Sequence, residues 1–538
     1  MRRQFIDSPI EPEVPVKPLQ NFRIRAVLCL IIASLICGCV YYAGNVQLFK
    51  ERLIFRTQNY QGNAFKKPEL PDISGFTVES IISKVPSIKT GRIEFVSTKD
   101  YVELSKFKKG AVPRRLRLFQ RRIKPRALVV AEGSYTWTSL YEAVQAIDPK
   151  GELIRKEGTK YLLRVPLLVN KGASLIISSF DTDEVRLSKQ ATVYLVNRGN
   201  FFIYRTTVTG WDEEKKEPSK YSGDKYDFRP FIVTWGGSNL YIAGSKIASL
   251  GYMKGKSYGL TFSTCLPCIA RDPDIPPPTG VLIGNVFTDM YYAFYSYEAE
   301  DVAIIGNTYA DNIVYGIDPH DRSRRLIIAG NEAYGTKQYH GIIISREVDD
   351  SWIFNNHSYR NNGSGIVLDR ASVNNVIANN ITEHNKKDGI TIYESQNNVT
   401  WGNIIRNNGR NGVRIRNSWN IKMYNDILSM NRGASLEIYT SDISKDKTRD
   451  LTLDPFKQRA SAYAHNTRFV SHGDAVFKIT GAGKLSFSNI DVRTATYFFP
   501  QSLEYDRQAM FKTLNQTDSL VEMHTIPDGG VRIFNKGQ

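Results

Sequence analysis

The sequence predicts an all-β solenoid, a parallel β-helix, and three observations carry that expectation. From Gly280 onward the chain divides into repeating lines, each an aliphatic run, then Gly-Asn or Asn-Asn, then about nine residues, then Gly plus an aliphatic residue. Asn285, Asn307, Asn331, Asn356, Asn380, Asn403 and Asn425 align across these lines at spacings of 22, 24, 25, 24, 23 and 22. That is the length of one β-helix rung. The runs themselves, such as VAII and GIIIS, are short and rich in β-branched residues, as strands require. Leucine-rich repeats share the period but need a leucine lattice that these lines lack. Rungs stack at about 4.8 Å, so the asparagines are expected to form an amide ladder inside a corner and the glycines to take its left-handed backbone.

The elements follow in chain order. Residues 1–25 are basic, with Arg2, Arg3, Lys17, Arg23 and Arg25, and precede the apolar run AVLCLIIASLICGCVYYAG at 26–44. This reads as an export signal or membrane anchor with its N-terminus in the cytoplasm; Cys39 is a possible lipid-attachment point if the segment is cleaved. Residues 45–134 read as a linker and N-terminal extension. Residues 135–162 contain the best helical stretch, which is suited to cap the solenoid's open end. The β-helix is expected over 163–496, and 497–538 as a C-terminal cap.

A net charge of +17 in 538 residues points to an acidic partner. No recognition helix or RNP-type motif is present, so nucleic acid is not expected. A polyanionic polysaccharide fits better. Outside the 26–44 segment only Cys265 and Cys268 remain; CLPC has no second CxxC or HxxxH to complete a metal site, which leaves a local disulfide or free thiols. The remaining histidines are expected at surface or corner positions, with His320 as the exception.

His320 lies in YGIDPHD, residues 315–321. If Ile317, Ile342, Ile366, Ile390 and Val413 point into the core, strand alternation sends two ladders outward. One is Asp318, Ile343, Val367, Thr391 and Arg414. The other is His320, Ser345, Asp369, Tyr393 and Arg416. With Arg346, Arg370 and Glu394 just past the strands, and Asp321 and Arg322 after His320, the exposed face is expected to be long, polar and cationic. It would suit a chain-like anion whose carboxylates arginine grips as a fork.

YGIDPHD closely resembles the YGFDPHE-type signature of mannuronan C5-epimerases, which convert mannuronate to guluronate within alginate. Together with SREV at 345–348 and the export signal, it is similar to the periplasmic bacterial branch of that family. The resemblance implies a right-handed, pectin-lyase-like β-helix. It also implies His320 as general base, Arg346 neutralising the substrate carboxylate, Tyr315 as a candidate proton donor and Asp318 as a motif residue. Asp321, Arg322, Asp369, Arg370, Tyr393, Arg414 and Arg416 would line the polymer track. The calcium-binding nonapeptide repeats of secreted relatives are absent, which implies a calcium-independent enzyme without metal or cofactor, acting before export beside the alginate export proteins. Secreted relatives place a lysine in the rung before the motif; VLIGNVFTDMYYAFYSYEAED has none, which leaves that work to Arg346.

The chemistry needs these residue types. Removing a proton α to a carboxylate builds up charge that a cation must stabilise. It needs a base titrating near neutrality, as histidine does, with Asp318 or Asp321 to orient the ring. A donor, Tyr315 or water, must return a proton to the opposite face. The same first step followed by loss of the O4 substituent would make a polysaccharide lyase, and the cationic face alone would make a non-catalytic export scaffold.

Overall fold

The computed structural model describes residues 52–59, 66–107, 111–447, 449–471, 476–480, 483–494, 519–526 and 533–535. The 26–44 segment lies outside them; among the described residues no helix is long and apolar enough to cross a membrane.

Three long sheets, of 16, 14 and 15 strands among the described residues, run along one axis. Successive strands of a rung fall in different sheets, so each pairs in parallel with its equivalents one rung away. Each three-residue strand is too short to bury much alone, and stacking supplies the core. A continuous apolar core extends from Leu128 to Val492. Ile317, Ile342, Ile366, Ile390 and Val413 are fully buried in it, as the alternation predicts.

The parallel ladders begin upstream of residue 163, where Arg126–Val130 pairs with Leu167–Val169 and Ser134–Thr136 with the strand Ser174–Ser178. Nothing in RALVV carries the Asn and Gly marks by which the rungs were aligned. The helix Trp137–Gln145 starts at Thr136, whose side chain accepts from the Ser139 amide, and buries Trp137, Leu140 and Val144. That spacing of three and four places one apolar face on the end of the core. The described residues within 66–134 form strands and helices that pack on the solenoid. The helix Val78–Ile82 buries Ile81 in a cluster with Phe202 and Tyr204 on the outside of the 16-stranded sheet. Near the other end, Ser519–Ile526 pairs antiparallel with Gly483–Ser488. Cys265 and Cys268 form a local disulfide around the short helix Leu266–Ile269.

The asparagine ladder is present, with one register correction. Asn285 donates through Nδ2 to Oδ1 of Asn307 at 2.9 Å, and the pattern repeats through Asn331, Asn356, Asn380 and Asn403. Asn403 then donates to Asp426 at 2.8 Å, not to Asn425. The reason lies in the paired corner positions. The residue before each ladder member is left-handed, with φ of 62° at Gly284, 56° at Asn355 and 57° at Asn425. In the last pair the ladder seat falls to an aspartate. The glycines that open the next strand serve differently from expectation: a Cβ on Gly316 would lie 2.5 Å from the Gly341 carbonyl oxygen, so close rung approach, not a left-handed backbone, requires them. A second ladder, Asn361, Asn385, Asn408 and Asn431, runs up another corner.

Candidate active site

The 14-stranded sheet carries the motif. Its register places His320 beside Ser345, Ser345 beside Asp369, Asp369 beside Tyr393 and Tyr393 beside Arg416. The other outward ladder also holds, with Ile343, Val367, Thr391 and Arg414 in line. Past the strands the chain turns left-handed at Asp321, Arg346, Arg370 and Glu394, with φ of 42°, 62°, 58° and 47°. Backbone hydrogen bonds stack these corners rung on rung. The stack carries Arg346 next to Asp321.

His320 Nδ1 lies 2.5 Å from Oδ2 of Asp321. Oδ1 of the same carboxylate accepts from Arg346 Nη1 at 3.2 Å. Burial disfavours the charged imidazole, but the Asp321 carboxylate outweighs it and raises the ring above its ordinary pKa. Burial would likewise raise Asp321; His320 and Arg346 instead hold it well below the usual carboxylate range. Asp321 therefore orients the ring, through an Nδ1–H donor, and leaves Nε2 as the basic atom. Tyr295 frames the pair, its ring 5.6 Å from that of His320 and its hydroxyl 3.4 Å from Asp321 Oδ2.

Asp318 is only 1% exposed, and its Oδ1 has no hydrogen-bond partner. Burial pushes it up to about 7, against the pull of His320. Tyr315 is half-buried at the edge of the site, in edge contact with Tyr292 and facing His340 at 5.8 Å with nearly parallel rings. Burial and the nearby Asp318 keep its phenol well above the ordinary value, so it holds its proton. His340 is buried here instead of lying at the surface. Its Nδ1 accepts from the Ser364 amide at 2.9 Å, and burial lowers it to about 3, so it is neutral.

The predicted arginine face is present but not bare. Arg416 grips Glu394 with Nε at 2.8 Å and Nη2 at 3.0 Å and lies over the Tyr393 ring. Arg414 pairs with Glu437 at 2.9 Å, Arg322 with Glu298, and Arg370 with Asp369 at 3.3 Å. Neutralised in pairs, these cations form a polar wall, in which Asp369 and Arg370 are buried, at 3% and 8% exposure, instead of lying on an open face.

The alignment of rungs missed one element entirely. After Leu436–Tyr439 the chain leaves the solenoid, and the described residues between 440 and 459 run back across the outward ladders. Arg449 donates to Asp369 at 2.9 Å and pairs with Glu394 at 2.7 Å. Asp454 receives Arg346 as a fork, Nε and Nη2 each at 2.9 Å. This strap lacks the period that marks the rungs; its only sequence signal is the charge-rich composition of the long insertion. Lys256 was also missed, because it sits in an insertion two rungs before the motif. Its ammonium lies 3.5 Å from the centre of the Tyr297 ring, and its charge acts on Asp321. The site thus has a lysine after all, though not from the preceding rung. Among the described residues no group of three or more His, Cys, Asp and Glu is placed to hold a metal.

Taken together, an imidazole oriented by a carboxylate lies beside a cation on a face of paired charges, an arrangement suited to proton abstraction next to a carboxylate. Comparisons agree with this chemistry. Residues 292–445 match the family described as "Right handed beta helix region". The chain is 42% identical over 412 residues to a mannuronan C5-epimerase of Pseudomonas putida, covering 77% of this chain and 78% of that one. It is 40% identical to mannuronan C5-epimerase AlgG of Azotobacter vinelandii over 80% of each chain. The crystal structure of the periplasmic alginate epimerase AlgG superimposes with a TM-score of 0.73 at 38% identity, over 80% of this chain and all of that one. This chain belongs to the mannuronan C5-epimerase family.

Proposed function

We propose that this protein converts β-D-mannuronate to α-L-guluronate at C5 within polymannuronate during alginate biosynthesis. The observation that carries the proposal is the Asp321 carboxylate shared between His320 and Arg346. In this reading His320 Nε2 removes the C5 proton while Arg346 faces the C6 carboxylate. Among the described residues three of the five guanidinium N–H donors of Arg346 are engaged, so two remain for substrate. Tyr315 or water returns the proton from the other face. Asp318 stands beside the base, and the wall formed by Asp321, Arg322, Asp369, Arg370, Tyr393, Arg414 and Arg416 guides the chain.

The relatives' names support a periplasmic setting. The basic flank and apolar 26–44 segment support delivery there, with retention at the inner membrane if that segment is not cleaved. Work beside the alginate export proteins follows from a polymer substrate met before it leaves the cell.

Proton NMR of polymannuronate incubated with the protein tests the assignment. Guluronate signals should appear without an unsaturated, ultraviolet-absorbing product. Growing absorbance would indicate a β-eliminating lyase, and no change would indicate a binding scaffold.

A further inference from the structure

Asp454 lies 108 residues beyond Arg346 in the chain yet holds it by two parallel hydrogen bonds of 2.9 Å. Its carboxylate is buried, 2% exposed, and its second cationic neighbour is Arg370 at 3.8 Å. An isolated carboxylate in such a place would be costly, so the pair with Arg346 is what makes the position tenable. The contact also fixes the guanidinium plane. With Nε and Nη2 directed to Asp454, Nη1 is the nitrogen that meets Asp321. Asp454, Arg346, Asp321 and His320 thus form one continuous chain of charge-assisted hydrogen bonds.

We propose that Asp454 is a positioning residue for catalysis: the 440–459 strap supplies the carboxylate that locks Arg346 in the orientation needed to receive a uronate carboxylate. The proposal rests on the epimerase reading above. Arg449 anchors the strap to the sheet through Asp369 and Glu394, which keeps Asp454 over the correct rung. Asp454 spares the remaining donors of Arg346 and so does not compete with substrate for them. A planar fork held on one edge loses less freedom on meeting a second carboxylate than a free side chain would.

The test compares full-length wild type, Asp454→Asn and Asp454→Glu on polymannuronate, reading kcat, KM, the pH profile and Tm. Asp454→Asn should lower kcat at least tenfold while KM changes less than threefold. Its acid limb should also move to lower pH. The groups facing His320 are Asp318, Asp321, Tyr295 and Arg346, with Lys256 acting on Asp321. Freed from Asp454, Arg346 bears more fully on Asp321 and weakens its hold on the imidazolium. Asp454→Glu should restore part of kcat. Unchanged kcat and pH profile in Asp454→Asn would overturn the proposal, as would losses in both variants that merely follow a fall in Tm. A wild type that makes no guluronate would instead sink the epimerase reading, and the proposal with it.

Discussion

His320 Nδ1 lies 2.5 Å from Oδ2 of Asp321, so two residues adjacent in the sequence form one hydrogen-bonded unit, the base of the proposed mechanism. The hydrogen bond to the ring is made by Asp321, the aspartate that follows His320 in the motif. Asp318, two positions before His320, is buried beside it but makes no hydrogen bond to the imidazole that would fix its tautomer; its Oδ1 is unpartnered.

The first prediction concerns His320 itself. Replacing it with alanine should reduce guluronate formation by about 10²–10⁴-fold, the usual contribution of a general base. Polymer affinity should persist, because Arg370, Arg414 and Arg416 lie on other rungs. Binding of polymannuronate by calorimetry alongside the NMR assay checks both halves; normal turnover in the variant would remove His320 from the base role.

The second prediction is a pH dependence with a definite sign. Asp321 raises the His320 pKa above its ordinary value. The base works only when neutral, so kcat should fall as pH drops through that raised pKa. Asp321→Asn should shift this acid limb to lower pH while lowering the maximum rate. Stability runs the other way. The His320 contribution is fully present below the imidazole's unfolded pKa and is lost as pH rises through the folded one. A limb that stays in place in Asp321→Asn would contradict the assignment.

Arg346 provides the third. Lysine keeps the charge but cannot hold Asp454 with a fork and meet Asp321 at the same time. Arg346→Lys should therefore lose about 10²–10³-fold in kcat, comparable to removal of one electrostatic stabiliser of a developing anion. Single-turnover measurements that find wild-type rates in this variant would show that charge alone suffices.

Much of this site was readable in the residues, and what escaped did so for physical reasons. Strand alternation and a steady rung length place Ser345, Asp369, Tyr393 and Arg416 in one ladder, because a period-2 pattern on a repeating coil leaves little choice of register. The same alignment slipped by one at Asn425, where the corner pair is Asn-Asp and the buried acceptor seat passes to Asp426. Asp454 and Lys256 were invisible because both lie in insertions, whose path depends on where charged partners wait on distant rungs. Composition revealed a cationic face, but it did not reveal that Glu298, Glu394 and Glu437 already pair with its arginines.

The fourth prediction separates activity from stability at Asp318. Its carboxyl is fully buried and pushed up to about 7. A raised folded pKa means that stability is greatest at low pH and declines as pH rises from the unfolded value toward the folded one. With about three units between them, the ceiling on this loss is about 4 kcal/mol. Asp318→Asn removes the charge and nearly keeps the shape. It should raise Tm above wild type only modestly at pH 5, where part of the loss is already present, and more at pH 8.5, while epimerisation falls. Equal Tm differences at both pH values would mean that the carboxyl is not titrating in the folded protein.

The last prediction tests the architecture that holds the rungs in register. Asn356 Nδ2 donates to Asn380 Oδ1 at 2.9 Å and to the Ile328 carbonyl at 2.8 Å. Its own Oδ1 accepts from the Asn331 amide and side chain, each at 2.9 Å. Alanine would leave several buried donors and acceptors without partners at once, which should cost about 2–4 kcal/mol. Because each rung touches only its neighbours, the damage should be centred on the rungs of Asn331, Asn356 and Asn380, which also carry Arg346 and Arg370. Hydrogen exchange should show faster opening there than at the N-terminal rungs, together with a lower urea midpoint. Uniform loss of protection along the solenoid would show instead that it unfolds as one cooperative unit and that the ladder gives no local control of register.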